Sequence, residues 1–223
     1  NMKINIRPEV QLIKNKIIST RRDIHKHPEL AFKEKRTSEL VAKRLQSYGI
    51  KVLTNIGKTG VVGILKGKKP GKTIALRADM DALPMQETSN VTYKSIHAGV
   101  MHACGHDGHT AMLLGAAEAL STIETISGTV KFIFQPAEEG YGGANFMIRD
   151  GAIDNVDEIY GIHLWNYQKY GTVGVKPGPI MSAADIFEIT IHGKGGHGAA
   201  PQGTQDAILI ASHIIQTFQS IVS

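Results

Sequence analysis

Short apolar runs rich in β-branched residues, Gly60-Val-Val-Gly-Ile-Leu65, Thr73-Ile-Ala-Leu-Arg77, Thr129-Val-Lys-Phe-Ile-Phe134 and Glu158-Ile-Tyr-Gly-Ile-His-Leu164, alternate along this chain with stretches of helical spacing. That alternation constrains the fold more than any other feature. Strands separated by helices bury their apolar surfaces most readily as a layered α/β domain, a mixed sheet flanked by helices. Val10, Ile13, Ile17 and Ile24 share one helical stripe, and Val41, Leu45 and Tyr48 share another that stops at Gly49. Gly60–Leu65 and Thr73–Arg77, joined across the lysine-rich turn Lys66–Lys72, read as a β-hairpin. Further helices are predicted from about 108 to 120 and from 144 to 149, the second stopping at Gly151.

The pattern changes near Ala183. Asp185–His192 alternates like a half-buried strand, a glycine-rich loop follows, and Asp206–Val222 has the spacing of a helix with Ala207, Ala211, Ile214, Phe218 and Ile221 on one face. One strand and one helix cannot close a core. The expected organisation is therefore a first α/β domain over 1–182 and the start of a smaller α+β domain over 183–223.

Composition removes several function classes. With 42% hydrophobic residues the chain can bury a core, and one cysteine, Cys104, excludes both an internal disulfide framework and a cysteine-rich zinc module. No run approaches the ~18 apolar residues of a membrane span, and residues 1–8 lack the apolar core of a secretory signal. A cytoplasmic protein without a membrane partner is expected. The net charge of +5 could suit nucleic acid, but the basic residues are scattered and the densest cluster, Lys66–Lys72, sits on Gly/Pro turn chemistry without aromatics for base stacking. No nucleic-acid partner is expected.

Ligands of open α/β sheets bind beyond the carboxyl ends of the strands, so polar residues just after predicted strands mark the site. Asp79 and Asp81 follow the Thr73 strand, Glu138 and Glu139 follow the Thr129 strand, and His163 lies near the end of the Glu158 strand. Cys104 and His106 share a glycine-punctuated turn ahead of a helix. A cysteine-nucleophile reading would leave both glutamates idle. A metal reading uses every group: Cys104, His106, Glu139 and His163 ligate one or two borderline cations such as zinc or manganese, and Glu138 remains as a carboxylate beside an activated water. Adjacent side chains of a regular strand point to opposite sides, so both glutamates can face inward only if the backbone between Pro136 and Gly140 is irregular.

Taken together, Arg21-Arg-Asp-Ile-His-Lys-His-Pro-Glu-Leu30, Leu76-Arg-Ala-Asp-Met-Asp-Ala-Leu-Pro84, Met101-His-Ala-Cys-Gly-His-Asp-Gly-His109, Gln135-Pro-Ala-Glu-Glu-Gly140 and Gly195-Gly-His-Gly-Ala-Ala-Pro201 resemble the aminoacylase, hippurate hydrolase and auxin-conjugate hydrolase subfamily of two-metal metallopeptidases. The resemblance runs in order along nearly the whole chain. It implies a zinc-peptidase-like catalytic domain with a lid or dimerisation domain, two divalent metal ions, and hydrolysis of the amide bond of an N-acyl amino acid or short peptide. Cys104, His106, Glu139 and His163 resemble that family's ligands, Glu138 its general base, and Asp81 the acid that supports the metal site. In sister subfamilies a ligand histidine stands where Asp79 is found. His197 resembles the lid histidine that reaches across a homodimer to the substrate.

Members of that family are longer, and their chain returns after the lid to deliver a last metal-binding histidine. The 223-residue chain alone is accordingly expected to be inactive. A dipeptidase or an N-acetyl diamino acid deacetylase would use the same centre. In another class stands a catalytically dead metal-binding scaffold, against which the intact Glu138 argues. His25 and His27 read as complements to a helix C-terminus, and His97, His102, His109, His192 and His213 as structural or solvated residues.

Overall fold

The computed structural model describes residues 6–183 and 185–222. Ala184, Ser223 and the opening residues 1–5, part of the segment read above for a secretory signal, lie outside them. The chain divides into two compact units, Asn1–Gly174 and Val175–Ser223. Among the described residues no helix is long and apolar enough to cross a membrane.

The first unit is a mixed α/β layer structure. Its elements run α1 (Pro8–Lys26), α2 (Lys35–Ser47), β1 (Lys51–Ile56), β2 (Gly60–Lys66), β3 (Lys69–Asp79), α3 (His106–Ser121), β4 (Ser127–Gln135), α4 (Gly143–Arg149) and β5 (Glu158–Gly161). The sheet order is β1-β2-β4-β3-β5, with β2 antiparallel to both β1 and β4, and β3 parallel to both β4 and β5.

The expected hairpin between β2 and β3 does not form. β4 lies between them, pairing Val62 with Ile133 on one side and Arg77 with the same Ile133 on the other. β4 is the strand that can be buried on both faces: Phe132 and Phe134 enter a core with Val41, Leu45, Met80 and Leu114, while Ile133 enters a second with Val62, Ala75 and Met147. The lysine-rich turn survives as a crossing segment held by Gly67 and Lys68 N–H groups donating to Gly128 and Ile126 carbonyls. The hairpin that does form is β1–β2.

α2 ends as expected, with Gly49 at φ +74°, a left-handed conformation that glycine adopts without penalty. β5 is shorter than predicted and stops at Gly161, so His163 sits past its end.

In the second unit, α5 (Ala207–Val222) forms as predicted, preceded by a 3-10 turn at Pro201–Gly203 and a single bridge between Lys194 and Gln205. The strand expected at 185–192 is not one. Alternation alone does not make a strand, because its backbone groups need a neighbouring ladder, and no partner pairs with this segment among the described residues.

Candidate metal centre

The site collects at the carboxyl ends of β3 and β4 and the N-terminus of α3. Gly105, at φ +88°, takes the left-handed turn that delivers His106 as the first residue of α3. His106 is fully buried. Its Nδ1 faces Asp81 Oδ1 at 3.2 Å, and the other oxygen of Asp81 accepts the Glu139 N–H at 3.0 Å. One carboxylate therefore fixes both the His106 ring and the backbone of the glutamate pair. Burial would raise the Asp81 pKa, but the bonds from His106 and from the Glu139 and Glu138 amides hold it below the usual range.

With Nδ1 engaged, His106 presents Nε2 to the site. That nitrogen lies 3.8 Å from Glu139 Oε1 and 3.9 Å from Glu138 Oε2. Both glutamates reach it because the chain leaves β4 irregularly: Ala137 sits at φ +51° and Gly140 at φ +79°. Cys104 Sγ stands 3.5 Å from His163 Nε2, and these two with His106 place one donor atom each within 4.8 Å of one another. His106 with Glu138 and Glu139 forms a second such group.

Two observations fit a cation here. His106 Nε2 and Glu139 Oε1 are both buried without a hydrogen-bond partner, a costly state for polar atoms that a metal ion would relieve. The donors are also thiolate, imidazole and carboxylate, the set that borderline divalent cations prefer. Burial and the nearby Glu139 carboxylate push the Cys104 thiol up to about 12, so a cation is what would make it a thiolate at neutral pH. Burial raises Glu138, opposed by His106 and reinforced by Asp79 and Glu139.

A sequence profile of Peptidase family M20/M25/M40 matches residues 75–221. The chain belongs to this peptidase family. It is 50% identical over 222 residues to thermostable carboxypeptidase 2 of Saccharolobus solfataricus, 98% of this chain and 56% of that protein. To the N-acyl-L-amino acid amidohydrolase of Geobacillus stearothermophilus it is 48% identical, covering 99% of this chain and 60% of the relative. To the hippurate hydrolase of Campylobacter jejuni it is 46% identical, covering 99% and 58%. Among solved structures it resembles the Bacillus subtilis YXEP protein, a dinuclear metal-binding peptidase of the M20 family, with TM-score 0.73 and 43% identity over 76% of this chain and 48% of that one. The chain thus spans little more than half the length of the curated relatives it matches.

A further donor group in this M20 chain, Asp79 with His106 and His109, competes for the metal on proximity alone. Hydrogen bonding removes it. His109 Nε2 accepts the Leu164 N–H at 2.8 Å, which places the ring proton on Nδ1, 2.6 Å from Asp79 Oδ1. No lone pair remains for a cation. Burial would raise Asp79, but His109, His106 and Arg77 hold it down at about 2.

The partners of His25 and His109 are not visible in the sequence alone. His109 follows His106 by three residues on one helix, so the helical repeat already places the two rings side by side. His25, in the last turn of α1, is buried between Asp107 and Glu87. His102 is also buried, with both ring nitrogens unpartnered, and burial pushes its pKa down to about 4. His197 lies in the second unit, exposed in a glycine-rich loop, where its Nδ1 accepts the Ala199 N–H.

Proposed function

We propose that this chain carries the metal-binding part of a metal-dependent amidohydrolase that cleaves the amide bond of N-acyl amino acids. The single observation behind this reading is the buried, unpartnered pair His106 Nε2 and Glu139 Oε1, 3.8 Å apart and flanked by Cys104, His163 and Glu138. Two divalent cations, zinc or manganese, held by Cys104, His106, Glu139 and His163 would polarise the scissile carbonyl and bring a water toward a pKa of about 7. Glu138 is the residue left to move protons. Its carboxylate, partly exposed and raised by burial, takes the proton of the attacking water and returns it to the leaving amine. Asp81 keeps His106 and Glu139 aimed while this happens.

The substrate assignment leans on the relatives named N-acyl-L-amino acid amidohydrolase and hippurate hydrolase. A carboxypeptidase or dipeptidase reading, favoured by the 50% identity to thermostable carboxypeptidase 2, uses the same chemistry on a different acyl side. In this reading residues 1–182 form the catalytic part and 183–223 begin a lid, where His197 on its exposed loop contacts substrate across a homodimer. A cytoplasmic location fits a lone cysteine committed to a metal.

The deciding experiment is metal analysis of the intact enzyme together with hydrolysis of N-acetyl and N-benzoyl amino acids and a dipeptide panel. Metal-dependent release of the free amino acid, lost to a chelator and restored by zinc or manganese, is expected. Tight metal binding with no hydrolysis of any of these amides would overturn the reading in favour of a scaffold.

A further inference from the structure

The motif Arg21–Leu30 and the turn that follows it hold none of the candidate ligands, yet they are packed against the site from behind. Glu34 is the N-cap residue of α2, but its side chain makes no capping bond there. That work is done from upstream. The Glu29 carboxylate accepts the Arg36 N–H at 2.9 Å and the Thr37 N–H at 2.8 Å, satisfying the helix N-terminus with a negative charge. The Glu29 backbone carbonyl also accepts the Ala82 N–H at 2.8 Å, next to Asp81.

Glu34 is thereby free to reach across the molecule. Fully buried, it accepts the Ala137 N–H on Oε1 at 2.9 Å and the Thr59 hydroxyl on Oε2 at 2.5 Å. Ala137 is the residue whose φ of +51° breaks β4 and lets Glu138 and Glu139 face the same way. A non-glycine residue keeps this conformation only where its surroundings impose it. Both backbone groups of Ala137 are held: its carbonyl accepts the Gly143 N–H at 3.0 Å, and a Cβ at Gly143 would strike the Pro136 carbonyl.

We propose that Glu34 is a positioning residue for the Glu138–Glu139 pair, its buried carboxylate gripping the Ala137 N–H and so imposing the left-handed turn that brings both glutamates to His106. The roles of Glu138 and Glu139 rest on the proposed function; the grip on Ala137 does not. No other charged group reaches Ala137 N–H among the described residues, and a carboxylate is the strongest neutral-pH acceptor a side chain offers to a backbone donor.

The test compares Glu34→Leu, which fills the site without an acceptor, and Glu34→Gln, which keeps a neutral one, in the intact enzyme. Three quantities are read: amide exchange of 137–143 in the metal-free protein, zinc affinity, and kcat against KM. Glu34→Leu is expected to speed exchange at 137–143 while β2 exchanges as before, and to lower zinc affinity and kcat about 10–100-fold with KM little changed. Glu34→Gln, a weaker acceptor, is expected to lie between Glu34→Leu and the parent in each. Unaltered exchange and zinc affinity in Glu34→Leu, or no recovery in Glu34→Gln, overturns the proposal. Should Glu34→Leu not fold, Glu34→Gln against the parent decides: its weaker bond speeds exchange at 137–143 if the proposal holds, and identical exchange overturns it. Glu138→Gln, run beside them, separates the two readings. Full activity in that variant removes the base assignment and leaves the exchange result on Glu34 standing.

Discussion

His109 Nδ1 lies 2.6 Å from Asp79 Oδ1, and the same ring, through Nε2, holds the backbone N–H of Leu164. This histidine ties the end of β3 to the segment that carries His163, and it does so with both nitrogens spent. Replacing it with phenylalanine leaves the Leu164 N–H and one oxygen of the buried Asp79 without partners, while Arg77 keeps the other oxygen. A loss of about 1–3 kcal/mol in stability is expected from those orphaned groups. If His109 positions His163 rather than ligating, zinc affinity falls about 10–100-fold but the stoichiometry is unchanged. Thermal melts with zinc titration check both, and a lost equivalent of metal would show that His109 is a ligand.

Glu138→Gln keeps the shape of the side chain and removes its basicity. The metal donors are untouched, so metal content should equal that of the parent. kcat should fall by roughly 10²–10⁴, the usual contribution of a positioned general base. Metal analysis and steady-state kinetics on an N-acyl amino acid measure the two together.

Much of this architecture is readable in the chain because burial writes periodicity into sequence. α2, α3 and β4 appear where the spacing of Val41, Leu45, Leu113, Ala117, Phe132 and Phe134 puts them. Strand order is not readable in the same way. The insertion of β4 between β2 and β3 depends on which strand best tolerates two covered faces, a comparison across the whole sheet that the local turn chemistry of 66–72 does not contain. β1 escaped notice because it is an edge strand with an exposed pattern, Leu53, Thr54 and Asn55 all being exposed. At the site, Glu138, Glu139 and His163 stand out because they follow apolar strands, and Cys104 and His106 because they share a glycine-punctuated turn ahead of a helix. Glu34 and His109 do not, since their meaning lies in backbone groups at Ala137 and Leu164 far along the chain.

His25 offers a stability effect with a definite sign. Its Nδ1 meets Asp107 at 2.7 Å and its Nε2 meets Glu87 at 3.2 Å, so only the doubly protonated ring satisfies both carboxylates. The groups around it are Arg21, which also pairs with Asp107, the buried neutral His102, and Tyr93 edge-on to the ring. The bond to Asp107 raises the His25 pKa, outweighing burial, with Glu87 adding to the rise. A raised folded value means that the stabilisation is complete below the unfolded value of 6.5 and is lost as pH climbs through the folded value. The stability difference between the parent and His25→Gln should therefore be largest near pH 6 and shrink above it. Denaturant melts across that range test it, and a difference that grows with pH would contradict the ion pairing.

Asp81→Asn is the most economical probe of the site's support, because the substitution changes one oxygen to an NH2 and nothing else. Asp81 accepts from two donors at once, His106 Nδ1–H and Glu139 N–H. An asparagine can accept from only one, and its NH2 then faces the other donor inside a fully buried site. If the amide turns its oxygen to Glu139, His106 loses its brace. The ring is then free to exchange tautomer, and zinc affinity should fall about 10–100-fold. If it turns to His106, the Glu139 amide is orphaned and the glutamate pair loosens instead. Either way a cost of about 1–3 kcal/mol in the metal-free protein accompanies the loss. Amide exchange at Glu139 separates the two outcomes: protection retained with weakened zinc assigns the damage to His106, and protection lost assigns it to the turn that Glu34 holds from the other side.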